Sequence, residues 1–167
     1  MAGALIVTAE MGPADFGWLD DLRRRHFPPE RNQLPAHLTL FHALPPSVEE
    51  EARGLLAQCA VAPPPRALLA GPMDLGGGVA LRVESDGLHE VRARIAERFE
   101  GCLTAQDAAG WRPHVTIQNK VARKEALVLL EELGRSFRPR PLILRGLELH
   151  RYLGGPWEFL GRWRFRG

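Results

Sequence analysis

A histidine and a threonine separated by one residue occur twice in this chain, as His37-Leu38-Thr39-Leu40 and, 77 positions later, as His114-Val115-Thr116-Ile117. An aliphatic residue follows the histidine and the threonine in both. Such alternation marks a half-buried strand, in which residues i and i+2 share a face. Each tetrapeptide therefore sets an imidazole and a hydroxyl side by side and turns two aliphatics inward. The chain holds 6 His and four Thr, so random placement gives about 0.14 such pairs, and two arise by chance roughly once in a hundred sequences. One pair would read as an ordinary core or surface histidine; two reverse that reading.

Cleaving a phosphodiester needs a base for the attacking hydroxyl or water, an acid for the leaving oxygen, and donors for the phosphoryl oxygens. Histidine does either proton job near neutrality. Threonine hydroxyls donate to non-bridging oxygens as their charge grows. Two equivalent histidines suit in-line displacement, where attacking and leaving groups lie on opposite sides of phosphorus. His37 and His114 are the candidate catalytic residues, and Thr39 and Thr116 the candidate phosphate ligands. A metal centre needs three or four clustered His, Cys, Asp or Glu ligands. The sequence offers none, so no metal and no cofactor is expected. His42 lies five residues beyond His37, and in a regular strand it points to the opposite face.

The elements that must position these residues follow from patterning. Strands are expected over 4–8, 37–44, 66–75, 79–84, 112–119, 142–152 and 157–165. Helices are expected over 15–27, 47–60, 86–100 and 123–136. Asp15, Ser47 and Asp86 are their candidate N-caps, with Glu50 completing a capping box after Ser47. Gly76-Gly77-Gly78 is a turn. The two halves superpose in order: Ala4-Leu5-Ile6-Val7 on Ala80-Leu81-Arg82-Val83, His37 on His114, Pro65 on Pro141 and Gly71 on Gly146, at offsets of 75 to 77. This is the signature of a duplicated strand–helix–strand–helix–strand unit, about 1–76 and 77–167, in a single bilobal domain of residues 1–167. Packed about a pseudo-two-fold axis, the units bring both His-x-Thr surfaces to one groove.

Composition sets wide bounds. A chain of 167 residues, 45% hydrophobic, buries a core without disulfides or metals. No apolar run is long enough to span a bilayer, and residues 1–10 lack the features of a signal peptide. Cys59 and Cys102 are expected as reduced thiols, which points to the cytoplasm. Residues 1–110 carry a net charge of −5 and residues 111–167 one of +7, which sum to the chain's +2. The basic half reads either as a solvated surface or as a face for a polyanion.

The paired motifs, with Pro113 before the second, resemble the two signatures of the two-histidine phosphoesterase superfamily, including its bacterial 2′-5′ RNA ligase and RNA 2′,3′-cyclic phosphodiesterase members. The resemblance spans essentially the whole chain. It implies a bilobal α+β fold with antiparallel sheets around a central groove. It also implies metal-independent work on 2′,3′-cyclic phosphate or 2′-5′ linkages of RNA ends or small nucleotides, by a monomer with no membrane partner. It assigns catalysis to His37 and His114 and phosphate binding to Thr39 and Thr116. The RNA cyclic phosphodiesterase members carry Arg and Lys just after the second signature. Here Gln118-Asn119-Lys120 keeps one cation. A nucleotide-binding protein without turnover and a 2′-5′ end-joining ligase are the alternatives.

Four further residues are candidate substrate contacts. Gln118 and Lys120 lie two and four positions after Thr116, on its face in a regular strand. Phe41, equivalent to Gln118 in the first motif, either stacks on a base or fills the core. Tyr152, with His150 and Trp157, flanks the last hairpin turn and either walls the groove or packs the hairpin.

Overall fold

The computed structural model describes residues 3–167. Eight strands form one curled antiparallel sheet: β1 (Leu5–Met11), β2 (Leu38–Leu44), β3 (Ala67–Asp74), β4 (Val79–Glu84), β5 (His114–Gln118), β6 (Arg140–Leu142), β7 (Leu144–Tyr152) and β8 (Trp157–Arg164). Their order is β6-β3-β4-β5-β2-β1-β7-β8. Five helices cover it: α1 (Pro13–His26), α2 (Glu49–Cys59), α3 (Asp86–Arg98), the short α4 (Ala105–Ala108) and α5 (Arg123–Ser136). The class is α+β, with two four-stranded lobes. At the middle of the sheet β2 and β5 are joined through one residue pair, Leu38 with Val115. That narrow seam is where both motifs lie.

The strand order is palindromic when β1, β2 and β3 are set against β4, β5 and β7. The third strand of each sequence half lies in the other half's lobe: β3 pairs with β4 and β7 with β1. The core runs through both lobes. Leu38 and Leu40 of the first motif and Val115 and Ile117 of the second are each fully buried, as the alternating pattern requires.

The caps differ from expectation. α1 starts earlier, at Pro13, because proline suits a first turn whose N–H has no partner anyway. Asp15 is buried within that turn, where its carboxylate accepts the Ile143 N–H at 2.8 Å and pairs with Arg140. It ties α1 to the start of β7 instead of capping. Pro46–Val48 form a 3-10 turn ahead of α2, and Ser47 makes no cap. At α3 the cap is Ser85, not Asp86. Its hydroxyl accepts the Leu88 N–H at 3.1 Å and donates to the Arg66 carbonyl at 2.6 Å. The strand expected over 142–152 is β7, and the proline-bearing stretch before it adds a short strand, β6. In the glycine turn, Gly76 has φ of 85°, and a Cβ on Gly78 would fall 1.9 Å from the Gln118 carbonyl oxygen. Only glycine lets that turn press against β5.

The charge asymmetry is partly neutralised by ion pairs between the two halves. Arg123 pairs with Asp74, Arg140 with Asp15, Arg151 with Glu49, and Arg162 and Arg164 with Glu10. In each pair a basic residue of the C-terminal segment meets an acid of the first half. Both cysteines are free. Among the described residues, no helix is long and apolar enough to cross a membrane.

Candidate active site

The register that pairs Leu38 with Val115, carried one residue each way, sets His37 beside Thr116 and Thr39 beside His114. The four side chains make a square on one face of the seam, with histidines at one pair of corners and threonines at the other. Diagonal neighbours across an antiparallel pair are roughly 7–8 Å apart, a separation that one phosphate can bridge. All four line a cavity of about 310 Å³.

Both rings are held in the same way. His37 Nδ1–H donates to the carbonyl of Pro35 at 2.8 Å, and His114 Nδ1–H to that of Arg112 at 2.6 Å. Each partner lies two residues before its histidine. A carbonyl can only accept, so both neutral rings carry their proton on Nδ1 and keep Nε2 free for a reacting group. The threonines are clamped crosswise through their backbone. Trp111 Nε1 donates to the Thr39 carbonyl at 3.1 Å, and Arg23 of α1 to the Thr116 carbonyl at 3.0 Å. Each clamp comes from the opposite half of the sequence.

The two histidines differ in environment. The His37 ring packs edge-on against Trp157, centroids 4.9 Å apart. The ring is half-buried, and it lines the groove. Burial pushes its pKa down to about 4, against the pull of the Pro35 carbonyl, and the charges of Arg23, His150 and His42 push the same way. Arg23 is itself buried, stacked 4.2 Å over Phe27 and bonded to Asn32. Burial also lowers its pKa, though Asp20 opposes this.

Two of the four secondary candidates, Phe41 and Gln118, are reoriented by one shared feature. Thr8 of β1 pairs with Thr39 while Val7 pairs with Phe41, leaving Leu40 as an extra residue. Ala80 of β4 pairs with Thr116 while Val79 pairs with Gln118, leaving Ile117 extra. Each motif strand thus carries a β-bulge straight after its threonine, and a bulge reverses the alternation beyond it. Of the two readings of Phe41, base stacking or core, the structure shows the core: the ring is at 0% exposure with the Arg92 guanidinium 4.3 Å over it. Gln118 is likewise turned inward, and its Oε1 finds no partner among the described residues. Lys120 sits exposed beyond the strand end with φ of 64°, off the groove wall. Tyr152 pairs with Trp157 across the β7–β8 hairpin, and Trp157, not Tyr152, lines the cavity.

His42 moves the other way. The bulge brings it round to the groove, where it lines the same cavity as Thr39. Its Nδ1–H donates at 3.2 Å to Asp107 of α4, a residue to which the sequence reading gave no role. Arg92, Trp111 and Arg112 were also overlooked, and all three line the groove. A Trp-Arg-Pro run just ahead of the second motif was the available signal. A larger cavity of about 1090 Å³ adjoins the groove, with Trp111 and Arg112 as shared walls. Another of about 410 Å³ shares His37 and Trp157. Among the described residues, no group of three or more His, Cys, Asp or Glu side chains is arranged to hold a metal ion.

The paired His-x-Thr segments thus meet in one groove at the seam of a two-lobed antiparallel sheet. A sequence model of the 2′-5′ RNA ligase superfamily matches residues 12–156, and the chain belongs to that superfamily, whose members are phosphoesterase- and ligase-type enzymes. The fold recurs in solved structures. TT0787 of Thermus thermophilus superposes with a TM-score of 0.66 at 16% identity, covering 98% of each chain. E. coli LigT complexed with 3′-AMP superposes with a TM-score of 0.63 at 16% identity over 100% of both chains. LigT complexed with NADP+ gives 0.61 at 18% identity over 99% of both. No curated protein sequence matches the chain.

Proposed function

We propose that this protein is a metal-independent phosphodiesterase acting on 2′,3′-cyclic phosphate or 2′-5′ phosphodiester ends of RNA or small nucleotides. The observation that carries the reading is the pair of matched Nδ1–carbonyl bonds, which leave Nε2 of both rings free, at a cavity that Thr39 and Thr116 also line. In hydrolysis of a cyclic phosphate, water attacks phosphorus as one Nε2 takes its proton. The P–O bond to the 2′ or 3′ oxygen breaks, and the other histidine protonates that oxygen. Thr39 and Thr116 donate to the non-bridging oxygens, whose charge grows in the transition state. The buried Arg23 adds a fixed positive field behind Thr116.

The division of labour follows from the unequal environments. His37, held at about 4, starts neutral and serves as the base. His114 serves as the acid. End joining reverses the step and swaps the roles, as microscopic reversibility requires. Nucleotide binding by E. coli LigT, seen with 3′-AMP and NADP+, supports a nucleotide as the ligand of the shared fold. The palindromic strand order supports a duplication with exchanged third strands as the origin of the paired motifs.

The test is a screen of nucleoside 2′,3′-cyclic phosphates, cyclic-ended RNA and 2′-5′ dinucleotides with excess EDTA present. Turnover of at least one of them, abolished in a His37→Ala, His114→Ala double variant, is expected. Binding of these ligands without turnover of any would replace the enzyme reading with that of a nucleotide-binding module.

A further inference from the structure

The groove holds a third histidine for which the two-histidine reaction has no use. Asp107 is completely buried. Its carboxylate accepts the backbone N–H of His42 at 2.9 and 3.1 Å, the N–H of Ala43 at 2.9 Å and the Nδ1–H of His42 at 3.2 Å. Burial alone would raise the pKa of Asp107, yet the hydrogen bonds from His42 and Ala43 and the charge of His42 outweigh it and hold the group below the ordinary carboxylate range. The carboxylate fixes the orientation of the ring through Nδ1. The His42 side chain is 44% exposed. With Nδ1 engaged, the exposed end is Nε2.

The surroundings are cationic. Arg92 donates to the Leu40 carbonyl at 3.1 Å and the Asp107 carbonyl at 2.6 Å, which fixes its guanidinium on the same wall. Arg112 lines the groove as well and makes no ion pair among the described residues. Asp107 is the one acid on this wall, and its carboxylate is already occupied.

Position decides which group His42 meets. It lies four strand positions beyond Leu38, the centre of the catalytic square. At a rise of roughly 3.3 Å per residue that is about 13 Å, somewhat less across the bulge. The imidazole cannot share the central phosphate with His37 and His114. It is nevertheless close enough for its charge to act on His37. The equivalent place in the second motif is Asn119, whose side chain accepts the Lys120 N–H at 2.9 Å. The groove is therefore cationic at one end only.

Building on the phosphodiesterase reading, we propose that His42, backed by Asp107 and flanked by Arg92 and Arg112, forms a second anion subsite for a phosphate of the substrate other than the scissile one. That phosphate is the 5′-phosphate of a nucleotide or the adjoining internucleotide phosphate of an RNA strand. Asp107, imidazolium and phosphate then form a continuous chain, each bond charge-assisted. The subsite also orients the substrate, since it distinguishes the two ends of an otherwise near-symmetric groove.

The experiment compares binding of reaction products, so it does not depend on turnover and its outcome is separable from that of the cyclic-phosphate screen. Dissociation constants are measured by calorimetry for adenosine 2′-monophosphate, adenosine 2′,5′-bisphosphate and a diadenylate bearing a terminal 2′-phosphate. The buffer is set at about pH 6, within the range where imidazoles titrate. The second phosphate should tighten binding at least about tenfold, the worth of one charge-assisted bond. In His42→Gln the gain should fall below about twofold, and His42→Arg should retain it. Gain with the diadenylate assigns the subsite to an RNA strand, and gain confined to the bisphosphate assigns it to a nucleotide 5′-phosphate. No gain in the native protein, or an undiminished gain in His42→Gln, overturns the proposal. Should His42→Gln fail to fold, the native His42 Nε2 resonance gives the answer. It should shift with the bisphosphate and not with the monophosphate, and equal shifts overturn the proposal.

Discussion

Replacing His37 should change how stability depends on acid as well as how fast the protein turns over substrate. Burial against Trp157, with Arg23 nearby, holds the folded-state pKa at about 4, below the ordinary value of 6.5. The unfolded chain therefore binds this proton first. Between those two values it carries more protons than the folded chain, so stability falls as pH drops through 6.5 and levels off near 4. A gap of this size is worth about 3 kcal/mol in full, and about 2–3 kcal/mol of it is expressed between pH 7 and 4.5. His37→Gln keeps a polar side chain without the titration. Urea unfolding of both proteins across this range should show the native chain losing about 2–3 kcal/mol more than the variant. Acidic residues such as Asp107 and Glu148, whose pKa values are lowered, contribute to both curves and cancel in the difference. Proton NMR gives the second measurement, a His37 midpoint near 4 that rises when an anionic nucleotide occupies the groove. Parallel stability curves, or a His37 midpoint near 6.5 in the free protein, would refute the half-buried, cation-flanked environment as the cause of a lowered pKa and with it the assignment of His37 as base.

Turnover should be bell-shaped in pH, with apparent values belonging to the coupled pair, and a flat profile would argue against proton transfer by both rings. His37→Ala and His114→Ala should each cost at least roughly 10²-fold in kcat, the double variant should lose less than the product because the two act as a unit, and Thr39→Ala or Thr116→Ala should lose less than either, all read from steady-state rates on one verified substrate. Activity should survive excess EDTA; loss that a divalent ion restores would reveal a metal requirement. Asp107→Ala strips the acceptor from two strand N–H groups and should destabilise by about 2–5 kcal/mol, measured as a shift in the urea midpoint.

The sequence carried the parts of this fold that depend on regular alternation. Leu38, Leu40, Val115 and Ile117 are buried because apolar residues at every second position can pair as strands only with one face inward. All seven expected strands and four of five helices exist for the same reason. What it could not carry depends on where regularity fails. α4 is only four residues long and has no periodicity to detect, so Asp107 stayed invisible until the fold brought it 65 positions back to His42. The caps were misassigned by one to a few residues because Asp15, Ser47 and Asp86 are all good cap types. Only tertiary partners such as the Ile143 N–H and the Arg66 carbonyl decide which polar side chain does what.

The bulges at Leu40 and Ile117 reshape the site as well as its interpretation. Without them, Phe41 and Gln118 would continue the row begun by His37–Thr39 and His114–Thr116, and the groove would be walled by an aromatic ring and an amide. With them, Phe41 becomes a core residue and the seat for Arg92, which in turn ties β2 to α4 through the Leu40 and Asp107 carbonyls. The position that faces the groove next on the first strand becomes residue 42, and its counterpart on the second is residue 119. Both strands carry a bulge straight after the threonine, and β2 has a further shift between Phe41 and Leu44; past the first bulge one strand carries a carboxylate-backed histidine and the other an asparagine folded onto its own loop. The two strands thus keep the same residue types through the threonines and differ in type past the bulge, where His42 stands on one and Asn119 on the other.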